Sequence, residues 1–273
     1  MHRLSLALLC LLPACAAIDD LFDDDADADT EIEADTDPDT DSDTLDPTLD
    51  SDEDGITDVE ELAAGTDPNL ADTDGDGFSD REERDFGSNP LNRFSWNFSS
   101  GRYPDFSADA AGLVPTGWEV GDTVPDAVFT DQHGNELSLH QFYGYVVVVN
   151  LCAMWAAPCH SAAETAQQEW ESARGNGLMY IHLILNEYQQ GAPPDQDDLA
   201  TWADADDLEF PVVYEAEETL LDAYGYNVPT FLVLDQQMRL DTVEVGFSGS
   251  VVVMDCDTGD LLCMASMPSF DPN

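Results

Sequence analysis

The most constraining stretch is Tyr145-Val146-Val147-Val148-Val149-Asn150-Leu151 with the residues that follow it. This apolar run reads as a buried strand. It breaks at Ala156-Ala157-Pro158, and a helix pattern starts at Cys159 and continues to about Arg174. A second apolar strand follows at Leu178 to Leu185, then a helix at Asp197 to Ala205 with Asp195 as its N-cap. Pro211 to Tyr214 is short and extended, Glu217 to Tyr224 is helical with Gly225 as its stop, and Phe231 to Leu234 is a last strand. Apolar strands alternating with helices predict an α/β fold, a mixed sheet with helices on both faces.

Upstream, Gly121-Asp122-Thr123-Val124-Pro125-Asp126 and the Asp131-Gln132-His133-Gly134-Asn135 turn read as strand, tight turn, strand. His133 is expected in that turn and His140 on the surface. Together with Trp155, Pro158, Cys159 and the Val228-Pro229-Thr230 loop, this order resembles thioredoxin-like proteins. The nearest likeness is to the redoxins (alkyl hydroperoxide reductase/thiol-specific antioxidant) and membrane-anchored thiol oxidoreductases of bacterial envelopes. The resemblance covers residues 118–247 and implies a cis-proline at Pro229, beside the redox turn. It also implies protein thiols and disulfides, or peroxide, as substrates.

The family's turn carries Trp-Cys-x-Pro-Cys, whose first cysteine attacks a substrate disulfide and whose second resolves the mixed disulfide. Here Ala156 takes the attacking position and Cys159 the resolving one, so the standard dithiol cycle should be absent. Three readings stay open. Cys159 acts alone at a helix N-terminus with His160 beside it; Cys152 and Cys159 pair across the turn; or the domain binds partners without turnover. The peroxidase pattern, Thr-x-x-Cys, is also altered, because Ala156 replaces its threonine. His182, on an apolar strand, is expected to be a core residue, as are Met154 and Met179, and Asn186-Glu187 a solvated loop.

Charge separates the two halves of the chain. The formal net charge is −52, and all seven basic residues are arginine. The charge repels nucleic acid and anionic headgroups and suits divalent cations. The absence of lysine excludes Schiff-base and Walker-type chemistry. Aspartate dominates residues 19–85.

Residues 1–14 are a signal peptide: Met1-His2-Arg3 and an apolar core from Leu4 to Leu12, too short to span a bilayer. Leu12-Pro13-Ala14-Cys15 resembles a bacterial lipobox, which implies lipidation at Cys15 and an outer-membrane or periplasmic location in the cell envelope. Residues 15–49 form an acidic, self-repelling tether.

Residues 50–92 hold a repeat. Asp50-x-Asp52-x-Asp54-Gly55-Ile56-x-Asp58-x-x-Glu61 recurs 22 residues later as Asp72-x-Asp74-x-Asp76-Gly77-Phe78-x-Asp80-x-x-Glu83. Oxygens at positions one, three and five wrap a hard cation, and glycine at six permits the sharp turn. The carbonyl at seven (Ile56, Phe78) and the acids at nine and twelve close the shell. These sequences resemble thrombospondin type 3 calcium repeats, and Ca2+ is the expected cofactor. Affinity is expected near ~10⁻⁴–10⁻³ M, with calcium stiffening the repeats into a stalk. Residues 93–117, rich in aromatics, are expected to strap onto the next domain.

The tail, residues 248–273, reads as a hairpin turning at Asp257-Thr258-Gly259-Asp260. It resembles the opening of the transpeptidase domain of penicillin-binding proteins, without the catalytic Ser-x-x-Lys. Cys256 and Cys263 could face each other across it. The expected function is envelope thiol-redox chemistry, as a thiol-disulfide oxidoreductase or peroxiredoxin-like enzyme centred on Cys159. The alternative is a silent binding module on a calcium-stiffened tether.

Overall fold

The computed structural model describes residues 46–96, 101–186, 192–245, 250–254 and 261–266. The signal peptide, Cys15, the tether up to residue 45, Glu187 and Cys256 lie outside the described residues. Among the described residues no helix is long and apolar enough to cross a membrane.

The repeats form helices α1 (Asp58–Ala64) and α2 (Asp80–Phe86). α3 is a single turn, Ser107–Ala110. Strands β1 (Val128–Asp131) and β2 (Glu136–Ser138) make the entry hairpin. Then come β3 (Val146–Cys152), α4 (Ala157–Ala173), β4 (Leu178–Ile184), α5 (Gln196–Ala205) and β5 (Val212–Tyr214). α6 (Thr219–Tyr224), β6 (Thr230–Leu234) and β7 (Leu240–Val245) complete the sheet. Its order is β2-β1-β5-β4-β3-β6-β7. β3, β4 and β5 run parallel, and β1, β2, β6 and β7 join by antiparallel pairs.

The central strands explain why both faces are covered. All seven residues of β3 and all seven of β4 are buried. Successive strand residues point to opposite faces. His182 meets Trp202 of α5, whereas Leu183 and Leu185 line a small cavity with Leu221 of α6. α5 and α6 therefore cover opposite faces of this thioredoxin-like sheet. α4 starts at Ala157, two residues before the sequence pattern suggests, because Pro158 sits in the first turn, where its missing N–H leaves no bond unmade.

Two expectations change. His140 is buried, not on the surface: its Nε2 lies 3.0 Å from the Val124 carbonyl. The second repeat is also not a separate stalk. Phe78 shares one hydrophobic core with Trp96, Tyr103, Phe142 and Tyr145. Arg102 closes the junction, donating to Glu82 Oε1 at 3.0 Å and the Gly77 carbonyl at 3.1 Å, its guanidinium 4.1 Å from the Phe78 ring centre. The repeats also interlock, since Arg81 N–H donates to Asp54 Oδ2 at 3.0 Å.

At the C-terminus, β8 (Ser250–Met254) and β9 (Leu261–Ser266) pair antiparallel as a hairpin, Ser250 opposite Ser266. β9 runs alongside α4.

Candidate redox and metal sites

Cys152 is the last residue of β3, and Cys159 sits in the first turn of α4. The turn between them is short and bonded at both ends. Ala156 is the N-cap, and its carbonyl accepts the Cys159 N–H at 2.9 Å. The Leu185 N–H reaches the Cys152 carbonyl at 2.7 Å, and Met154 N–H reaches the Asn186 carbonyl at 3.0 Å. The two cysteines therefore flank one short, braced turn. Both are free, and both are 0% exposed. Burial pushes the Cys152 thiol well above its ordinary pKa, and the Cys159 sulfur hydrogen-bonded to it adds to the rise.

The surroundings bear on the chemistries left open by the sequence. A lone Cys159 nucleophile needs access, and a fully buried thiol has none in this conformation. His160 does not turn to the Cys159 sulfur: its Nε2 lies 2.8 Å from the Met154 carbonyl and its ring packs on Trp202 at 4.6 Å. Thr230 pairs with Leu151, and Leu234 with Val147. The Pro229 loop therefore stands at the site's end of the sheet, and the turn carrying Arg239 at the other. The Val228–Pro229 bond is cis. Two adjacent thiols can form a disulfide, giving two electrons and two protons to an acceptor disulfide that becomes two thiols.

Four residues outside the turn motif build this site. Asn186, expected in a solvated loop, is buried, and its Oδ1 accepts the Trp155 indole N–H at 3.0 Å. Trp155 is otherwise 40% exposed. Asn150 pairs with His182 across β3 and β4, and its side-chain amide lies 2.9 Å from His182 Nε2 and 3.4 Å from Cys152 Sγ. Trp202 Nε1–H donates to His182 Nδ1 at 3.2 Å. A polar residue inside each of two apolar strands was the sequence signal for this pair; the register that joins them was not visible.

In the repeats, Asp50, Asp52 and Asp54 bring one carboxylate oxygen each within 4.8 Å of one another, as do Asp72, Asp74 and Asp76. Gly55 and Gly77 adopt φ of 96° and 92°, which the turn at position six requires. Both oxygens of Glu61 and of Glu83, and one each of Asp52, Asp74 and Asp76, are buried with no hydrogen-bond partner. Burial, reinforced by neighbouring carboxylates, pushes Glu83 up to about 8, Asp76 and Glu61 to about 7 and Asp74 to about 6. Orphaned, converging carboxylates fit a hard divalent cation. Asp58 and Asp80 are used differently from the pattern. Asp58 accepts from Ser51 N–H and Oγ–H, both at 2.8 Å, and Asp80 from Thr73 N–H at 2.9 Å and Oγ–H at 2.7 Å. Their carboxylates brace the loop, while the orphaned Glu61 and Glu83 carboxylates remain available to a cation.

The strand order, with the Cys159 turn and the cis-proline at the same end of the sheet, is a thioredoxin-like arrangement preceded by acidic repeats. Residues 120–243 match the AhpC/TSA family model, and residues 50–71 and 72–93 each match the bacterial TSP3 repeat. The thiol-disulfide oxidoreductase ResA of Geobacillus thermodenitrificans is 24% identical over 128 residues, covering 46% of this chain and 70% of the relative. The thioredoxin-like protein YneN of Bacillus subtilis is 24% identical over 154 residues, covering 55% and 81%. The thioredoxin domain of a thiol-disulfide oxidoreductase from Bacteroides vulgatus covers 47% of this chain and 90% of that one, at 16% identity and a TM-score of 0.41.

Proposed function

We propose that this chain is a thiol-redox protein of the bacterial cell envelope, lipid-anchored at Cys15, whose redox unit is Cys159 paired with Cys152. The observation that carries the reading is two free, fully buried cysteines at the two ends of one short turn, where Ala156 stands in place of the usual attacking cysteine. The pair cycles between dithiol and disulfide against protein thiols or disulfides. The relatives named as thiol-disulfide oxidoreductases support this class of chemistry. Asp50, Asp52, Asp54 and Glu61, and Asp72, Asp74, Asp76 and Glu83, each with the carbonyl at position seven, hold calcium. The ion neutralises carboxylates that otherwise repel one another and fixes the loops on the domain.

A second reading, a silent binding module, is favoured by one observation: neither sulfur is exposed, while Trp155 presents an open ring on the turn. Insulin-disulfide and peroxide reduction by the wild type and Cys159→Ser separates the two. Activity lost with Cys159→Ser supports the redox reading, and no activity in either protein supports the binding module.

A further inference from the structure

A neutral imidazole carries one proton, and its two nitrogens then play opposite hydrogen-bond roles. An indole N–H can only donate. Trp202 therefore obliges His182 Nδ1 to accept, which places the imidazole proton on Nε2, facing Asn150. Burial holds His182 neutral, its pKa lowered to about 3. A carboxamide presents its oxygen and its NH2 group at equivalent positions, and the partners decide which goes where. In the structure Asn150 Nδ2 lies 2.9 Å from His182 Nε2, and Oδ1 lies 3.4 Å from Cys152 Sγ. Nε2–H needs an acceptor, so we assign the turned amide, oxygen to His182 and NH2 to the Cys152 sulfur. The opposite orientation would require an imidazole with no proton on either nitrogen.

We propose that Trp202, His182 and Asn150 act as positioning residues that hold an amide N–H on the Cys152 sulfur and so make Cys152 the leaving group of the Cys152–Cys159 disulfide. The inference rests on the redox reading above. Once the turn opens to expose Cys159, an incoming thiolate attacks its Sγ and forms the new S–S bond there. The Cys152–Cys159 bond breaks and its electron pair stays on Cys152; burial disfavours that thiolate, and the Asn150 N–H offsets the penalty until a proton arrives. The roles thus differ from a Cys-x-x-Cys turn: the sulfur at position 159, which the turn motif makes the resolving one, is here the sulfur that enters the mixed disulfide.

The hydrogen-bond chain is tested first by 15N NMR of the imidazole in the full chain. The expected result is the Nε2–H tautomer of His182 across neutral pH, and an Nδ1–H tautomer would overturn the proposal whether or not the pair is redox active. The leaving-group assignment is tested with glutathione disulfide and peptide mapping. Cys152→Ser should accumulate glutathione on Cys159, and Cys159→Ser should leave Cys152 at least tenfold less modified; the reverse distribution would overturn it. His182→Leu should slow opening of the disulfide by dithiothreitol about tenfold. His182→Gln, which keeps an acceptor for Trp202 and a donor for Asn150, should restore it to within about threefold. Equal rates in the two variants would reduce His182 to packing. A wild type that never forms the disulfide would contradict the redox reading, and the tautomer would still decide the hydrogen-bond chain.

Discussion

Phe78 stacks on Trp96, with ring centres 5.7 Å apart and planes at 14°, and Trp96 donates its indole N–H to the Tyr145 hydroxyl at 3.0 Å. Phe78 is the seventh residue of the second acidic loop, and Tyr145 stands next to the first residue of β3. On the proposed calcium reading, metal binding in the loop should therefore be linked to the stability of the sheet. A calcium concentration a hundredfold above Kd should stabilise the thioredoxin-like domain by about 2.7 kcal/mol. Phe78→Ala should cost about 3 kcal/mol and remove most of the calcium dependence. Urea denaturation followed at the buried tryptophans, with calcium or with a chelator, measures both effects. A domain transition indifferent to calcium would contradict the link.

The raised carboxylates set the pH dependence of the calcium-free protein. Glu83, Asp76, Glu61 and Asp74 hold protons at pH values where the unfolded chain has released them. Their contribution to stability is fully present below about pH 4, the ordinary carboxylate range, and is lost as pH rises towards 8. With calcium the order reverses, because the ion displaces those protons and affinity rises with pH. Calorimetric titration at pH 7 in two buffers of different ionisation enthalpy should show on the order of one proton released per ion. Glu83→Gln should weaken calcium binding about tenfold without destabilising the chelated protein.

Much of the sheet was legible in the sequence because buried parallel strands are apolar runs and the intervening helices have their own periodicity. The Asp-x-Asp-x-Asp-Gly spacing was legible for a similar reason, since loop chemistry is local. The parts that were not legible depend on register or on distant packing. Nothing local joins Asn150 to His182, 32 positions apart, or Asn186 to Trp155. Phe78 reads as a carbonyl donor in the loop, and only the fold shows that its ring is a core residue. His140 looks solvated until the Val124 carbonyl is seen against it.

Asn186 braces the turn, accepting the Trp155 indole N–H on its side chain and the Met154 N–H on its carbonyl. Asn186→Ala leaves the Trp155 N–H without its acceptor, should cost about 1 kcal/mol, and should loosen the cover over the thiols. Alkylation of Cys159 by iodoacetamide is expected to speed up at least fivefold. An unchanged rate would place the barrier to access elsewhere.

Ala156→Cys puts a thiol at the N-cap of α4, the attacking position of a Cys-x-x-Cys turn. Insulin-disulfide reduction should rise at least tenfold over the wild type. A variant that folds and gains nothing would show that the turn is not presented to a protein substrate.

The most direct measurement is the redox state of Cys152 and Cys159 in the full chain, equilibrated in glutathione buffers, trapped with acid and mapped by mass spectrometry. The expected result is a single 152–159 disulfide that replaces both thiols cooperatively as the buffer becomes oxidising. Both cysteines remaining as thiols across the whole range would contradict the redox reading and leave a binding domain.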